Sequence, residues 1–307
     1  MEQITQAPDV IYIGYAKTAA TFLNRFFEAH PETYVDRLAK RYANRPEAVT
    51  ATDGDAAAAG RDRVYVSFNE KVSEARVMAP NIAWKELRFD ATQADRLDDM
   101  LEISPRSFAD TYKRRFPDCK ILMCIRDQAD WLSSNYRYYI EHLHPKRRSF
   151  HDFCRTPMGE VLLRVGLYDL TIGAYLDAFG PDRVHVLRFE ILKTDRETFL
   201  RELCAFVGID PITYEAPPAN VGRSALTTKL HTKAHLAGKL PAPLHRLADS
   251  AAAALGQAVG GNAVLSPAER AFINSFYAVS NQRTRKLMAQ LAAAKTPAAW
   301  ARQTGRS

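Results

Sequence analysis

The stretch Gly14-Tyr15-Ala16-Lys17-Thr18-Ala19-Ala20-Thr21-Phe22-Leu23 constrains this chain most, because it reads as a tight turn joining a strand to a helix. Val10-Ile11-Tyr12-Ile13, just before it, is a short apolar run of β-formers. After it, Phe22, Leu23, Phe26 and Phe27 share one face of a helix that the pattern starts near Thr18. Such a helix aims unpaired backbone N–H groups and the positive end of its dipole over the turn, and Lys17 adds a mobile cation. The turn is an expected site for a phosphate or sulfate group.

Counting that run, strands are expected at Asp9–Tyr15, Val64–Glu70, Lys120–Arg126 and Val184–Glu190, with a weaker fifth at Ile82–Glu86. The intervals leave room for helices. They predict an α/β, P-loop-like three-layer fold with a central, mainly parallel sheet of about five strands flanked by helices. Sites in such sheets gather at the carboxyl ends of strands, where Glu70, Arg126 and the Gly14–Lys17 turn all fall. A helix is read over Ala129–Leu143, with Ser134 on its polar side. Another follows a capping box at Thr194-Asp195-Arg196-Glu197 and stops at Gly208. A third starts at Ser266-Pro267-Ala268-Glu269 and carries its apolar spacing to Leu291. Residues 37–63 form a long excursion suited to a substrate loop. The organisation expected is a core over residues 1–225 with a helical C-terminal extension, residues 226–307, packed on the same domain.

The formal net charge of +7 over 307 residues favours anionic partners without choosing among them. Cys119, Cys124, Cys154 and Cys204 have no C-x-x-C spacing, so core thiols are expected rather than a zinc site or a disulfide framework. The amino-terminal residues lack the pattern of an export signal, and no run is long and apolar enough to span a membrane. A soluble, cytoplasmic protein is expected.

An ordinary P-loop needs a lysine after its second glycine, followed by Ser or Thr, and this turn has neither. Asp127 comes only after Arg126, whereas a magnesium-binding aspartate would close the apolar run directly. A degenerate P-loop kinase or hydrolase is therefore the disfavoured alternative. The pairing of Ala16-Lys17-Thr18-Ala19-Ala20-Thr21 with Arg126-Asp127-Gln128, Ser134 and Tyr136 resembles the sulfotransferases that use 3′-phosphoadenosine 5′-phosphosulfate (PAPS). In that family the first motif, roughly P-K-[ST]-G-T-T, holds the 5′-phosphosulfate. The second, an Arg closing a strand and a later Ser, holds the 3′-phosphate. The resemblance continues through Gly166-Leu167-Tyr168, Val184–Lys193 and Phe199–Gly208, spanning most of residues 9–225. Ala16, Ala19 and Ala20 stand where Pro, Gly and Thr are usual, and Gln128 replaces a Pro. Without glycine at 19 the turn loses backbone freedom, and without threonine at 20 it loses a hydroxyl.

The resemblance implies sulfuryl transfer from PAPS to an alcohol on a carbohydrate or small metabolite, with no metal. Lys17 would meet charge on the bridging oxygen, and Thr18, Ala19, Ala20 and Thr21 would cradle the phosphosulfate. Phe22 would lie against adenine. Arg126 and Ser134 would grip the 3′-phosphate, with Arg223 on a closing segment. Glu70, in Phe68-Asn69-Glu70-Lys71, resembles the general base of the carbohydrate-type branch, and Lys71 would meet the transferring group. The histidine used by the aryl-type branch has no counterpart here, since His30, His142, His144 and His151 do not follow the second strand. A non-catalytic phosphonucleotide-binding protein, or one using the basic Arg223–Arg246 stretch on nucleic acid, is the alternative from another class; nucleic acid is disfavoured. The acceptor's identity and the oligomeric state are not legible.

Overall fold

A computed structural model describes residues 7–15, 17–36, 63–68, 105–142, 149–215 and 265–294. Its sheet is built from β1 (Val10–Tyr12), β2 (Thr33–Asp36), β3 (Val64–Phe68), β4 (Lys120–Ile125) and β5 (Val184–Arg188). All pairs are parallel and the order is β2-β3-β1-β4-β5. β1 sits in the middle, with Val10 opposite Val66 on one side and Lys120 on the other. From β1 the chain crosses to the edge strand β2, comes back to β3 between them, and then adds β4 and β5 on the other flank. The carboxyl end of β1 is thus at the switch point where such sheets open a crevice.

The near-continuous apolar runs of β1 and β4 follow from burial on both faces. Ile11, Ile13, Tyr15, Ile121, Met123 and Ile125 point into one core layer; Val10, Tyr12, Leu122 and Cys124 point into the other. The first layer is closed by α2 (Pro105–Arg115), α3 (Gln128–His142), α4 (Phe150–Cys154), α5 (Pro157–Val165) and α6 (Tyr168–Phe179). The helices α9 (Pro267–Phe276) and α10 (Ala278–Ala294) join this layer through Ile273, Tyr277 and Leu291, and the Tyr277 hydroxyl donates to the Leu163 carbonyl at 2.8 Å. The opposite layer holds α1 (Ala20–Ala29) and α8 (Arg196–Val207), with the short α7 (Phe189–Thr194) leading into α8.

Several boundaries differ from expectation. The strand after Val184 ends at Arg188, because Phe189 and Glu190 already belong to α7. The cap of α8 is Asp195, whose carboxylate accepts from the Thr198 N–H at 3.0 Å, while Thr194 closes α7. The expected box is therefore a single Asp cap displaced by one residue. Gly208 does end α8, in the left-handed conformation that favours glycine. The Ser266–Glu269 box forms as expected, but the helix breaks at Tyr277 into α9 and α10. The weaker strand expected at Ile82–Glu86 lies outside the described residues, and the remaining strand of this sheet, β2, was not anticipated. The four thiols are free; Cys119, Cys124 and Cys204 are buried, and burial pushes Cys119 up to about 12. They behave as core side chains, not as thiolates.

Candidate functional site

The turn after β1 is built by side chains tucked beneath it. Tyr12 folds back so closely that a Cβ on Gly14 would stand 1.9 Å from its hydroxyl oxygen, which is why position 14 carries no side chain. From there the Tyr12 hydroxyl donates to the Thr18 carbonyl at 3.2 Å. Thr18 is fully buried and its hydroxyl donates to the Tyr15 carbonyl, so this hydroxyl serves the turn itself. On the opposite face Tyr15 packs 4.7 Å from Tyr168 and 6.0 Å from Trp131, ring centre to ring centre. The turn is therefore stapled from both core layers.

Lys17 and Ala19 both have left-handed backbone, φ 65° and 73°. The helix accordingly begins at Ala20 rather than near Thr18, and its N-cap, Ala19, offers no side-chain hydrogen bond. The first N–H groups of α1 thus have no side-chain cap competing with a bound anion. Ala19 also explains physically why glycine suits this position: a left-handed non-glycine residue costs about 1–2 kcal/mol, against about 0.5–1 kcal/mol of extra entropy lost when glycine is ordered. Strain outweighs entropy. Ala19→Gly is expected to stabilise the fold by about 0.5–1 kcal/mol, raising Tm by about 1–2 °C at this chain length, as thermal unfolding would show.

The Lys17 side chain is exposed, and its ammonium lies 4.4 Å from the centre of the Tyr138 ring on α3. Tyr138 is one helical turn beyond Ser134, on the side of α3 that looks toward the turn. Arg126, at the end of β4, donates from Nη1 to the Lys17 carbonyl at 3.3 Å. This contact joins the two stretches that the sequence separates by more than a hundred residues. The Arg126 guanidinium lies 4.8 Å from the Phe189 ring centre, and the Lys193 ammonium lies 4.9 Å from the same ring. Burial lowers the pKa of Arg126, and the nearby Asp130 and Glu190 carboxylates act in the opposite direction. Its Nε is buried with no acceptor among the described residues. An orphaned guanidinium N–H beside an uncapped helix start and an exposed lysine fits a ligand with two separated anionic groups.

The other expected residues are distributed as follows. Ala20 is buried, Ala19 half-buried and Thr21 exposed at the start of α1. Phe22 is half-buried and edge-on to Phe199 and Tyr214, at 6.2 and 5.7 Å. Ser134 is half-buried on α3. Ala16, Glu70, Lys71 and Arg223 lie outside the described residues. Asp127, the residue a kinase reading would need for magnesium, accepts instead from the Asp130 N–H at 3.0 Å and from Arg270 at 3.4 Å. Among the described residues no group of three His, Cys, Asp or Glu side chains could hold a metal ion. His30 is structural: its Nδ1 accepts from the Glu32 N–H at 3.2 Å, so Nε2 donates to the Asp210 carbonyl at 2.8 Å. No described helix is long and apolar enough to cross a membrane. A cavity of about 330 Å³ lies at the amino ends of the strands, away from the turn, beside Asp9 and Lys120. The Lys120 ammonium there is engaged by the Phe206 and Val207 carbonyls at 2.8 and 3.3 Å.

Tyr12, Tyr138, Phe189 and Glu190 were not singled out from the sequence for this site. Tyr12 left a faint signal, an aromatic two residues before a glycine. The other three come to it through space, Tyr138 from α3 and Phe189 and Glu190 from α7.

A parallel α/β sheet with a tight turn and an uncapped helix start after β1, and an arginine closing β4, defines a P-loop-like fold. The chain matches the family described as "Sulfotransferase domain" over residues 7–221, well over half its length, and it belongs to that family. Among solved structures it is similar to a sulfotransferase from Alicyclobacillus acidocaldarius, at 20% identity and a TM-score of 0.48, covering 76% of this chain and 95% of that one. It is also similar to the sulfotransferase domain of the Synechococcus PCC 7002 olefin synthase, at 14% identity and a TM-score of 0.42, covering 82% and 94%. A mouse sulfotransferase complexed with PAP aligns at 16% identity and a TM-score of 0.37, covering 67% and 60%. No curated protein sequence matches the chain.

Proposed function

We propose that this sulfotransferase moves a sulfuryl group from PAPS to a hydroxyl of a carbohydrate or small metabolite, in the reducing cytoplasm that its free thiols suit. The observation that supports this most is the contact of Arg126 with the Lys17 backbone, which joins a 3′-phosphate grip to a 5′-phosphosulfate turn. The donor supplies an activated sulfuryl group on a phosphate leaving group. The N–H groups at the start of α1, with Thr18 through Thr21, bind that phosphate, and Phe22 borders the adenine. Lys17 and Lys71 meet the charge that develops on the bridging and sulfuryl oxygens, while Arg126, Ser134 and Arg223 hold the 3′-phosphate. Glu70 takes the proton of the acceptor hydroxyl as its oxygen bonds to sulfur and the S–O bond to the donor breaks, leaving a sulfate ester and adenosine 3′,5′-bisphosphate.

Calorimetric titration tests the reading without knowledge of the acceptor. Adenosine 3′,5′-bisphosphate is expected to bind at least about tenfold more tightly than AMP, since one charge-assisted contact contributes about 1.5–3 kcal/mol. Equal or absent binding overturns the proposal. Glu70→Gln is expected to lower turnover by about 10²–10⁴ while leaving bisphosphate affinity intact. Full turnover by that variant would remove Glu70 from the role of base.

A further inference from the structure

The Asp130, Glu190 and Asp127 carboxylates are near enough to act on the charge of Arg126, and none of them takes its buried Nε. The Asp127 backbone N–H donates to Glu190 at 2.8 Å, and Arg188 approaches the same carboxylate at 4.0 Å. Asp127 and Asp130 are turned toward one guanidinium from a distant part of the chain: Arg270 reaches Asp130 at 2.6 Å through Nη2 and Asp127 at 3.4 Å through Nη1. We infer that Arg270 is a positioning residue for the donor site, holding the Asp127 and Asp130 carboxylates so that the Arg126 guanidinium stays available to an anion. This rests on the reading of Arg126 as the 3′-phosphate grip.

Arg270 is held in place by the helix that carries it. It lies in the first turn of α9, just after the Ser266–Glu269 capping box, and Ile273 and Tyr277 anchor the same helix in the core. At the other end of the contact, Gln128 donates to the Asn281 side chain at 2.5 Å, tying α10 to the start of α3. Gln128 is the residue that replaces the family's proline. Here a side chain that proline lacks links the helix after Arg126 to the C-terminal helices, which lie beyond the matched residues. The Arg270 side chain is 40% exposed, so its ion pairs add little to global stability. Their effect is local: without Arg270, two carboxylates beside Arg126 lose a counter-cation and compete with a phosphate for it.

The test titrates adenosine 3′,5′-bisphosphate and AMP against the full chain and its variants. For Arg270→Gln, bisphosphate binding is expected to weaken about fivefold while AMP binding moves by less than about twofold, because AMP has no group for Arg126 to grip. Adding Asp130→Asn is expected to recover most of the loss, since it removes the competing charge. Arg270→Lys, which keeps the charge, is expected to stay within about twofold of the unmodified chain, and it carries the test should Arg270→Gln not fold. Unchanged binding in Arg270→Gln, an equal loss for both ligands, a loss that Asp130→Asn leaves in place, or a fivefold loss in Arg270→Lys overturns the inference alone. Equal or absent binding of the two ligands by the unmodified chain overturns the functional reading and the inference together.

Discussion

Lys17→Ala is expected to slow sulfuryl transfer by at least about a hundredfold while weakening adenosine 3′,5′-bisphosphate by no more than about fivefold. The split follows from where charge appears. On the proposed reading the product's phosphate is held by N–H groups at the start of α1, and an exposed ammonium would add only about 1 kcal/mol or less to that binding. During transfer the bridging oxygen gains charge as its bond to sulfur breaks, and a fixed cation there acts selectively on the transition state, where losing one such group costs about 10²–10³ in rate. The left-handed backbone at Lys17 and the Tyr138 ring 4.4 Å from its ammonium define where that cation stands before reaction. Passage of labelled sulfate from PAPS to a panel of sugar and alcohol acceptors measures the rate, and calorimetry measures the affinity. Equal losses in both would make Lys17 a binding residue only.

Much of this arrangement could be read from local pattern, and the limits of that reading are physical. β1, β3, β4 and β5 were legible because their apolar runs are buried on both faces of the sheet. β2 was not: Thr33–Asp36 is a four-residue edge strand directly after the His30-Pro31 turn, too short and too polar to show a period. The face of α1 was legible in Leu23, Phe26 and Phe27, all fully buried. Its start was misread because helical spacing cannot reveal that Lys17 and Ala19 adopt left-handed backbone. Arg126 and the turn could be paired only by resemblance, since their contact closes over a long sequence separation. The Arg270 pair with Asp130 lay further still from any local signal, between two helices whose own patterns are complete without it.

Arg126→Gln separates function from stability in the opposite way to a core substitution. Burial disfavours the charged guanidinium in the fold, and its Nε has no acceptor among the described residues, so a neutral side chain removes a desolvation cost. The neighbouring carboxylates partly offset that cost, and each of them keeps its other donor when Arg126 is gone. Tm is therefore expected to stay level or rise slightly. Affinity moves strongly. Two charge-assisted hydrogen bonds to a 3′-phosphate contribute about 3 kcal/mol or more together, so adenosine 3′,5′-bisphosphate is expected to bind about a hundredfold more weakly, while AMP changes by less than about twofold. At saturating PAPS the turnover is expected to recover toward that of the unmodified chain, because the lost contact lies away from the bond that breaks and holds ground state and transition state alike. A site kept at some cost to the fold is what a binding arginine predicts and a structural one does not. Loss of Tm with parallel weakening of both nucleotides would instead identify Arg126 as a structural residue of the β4–α3 junction.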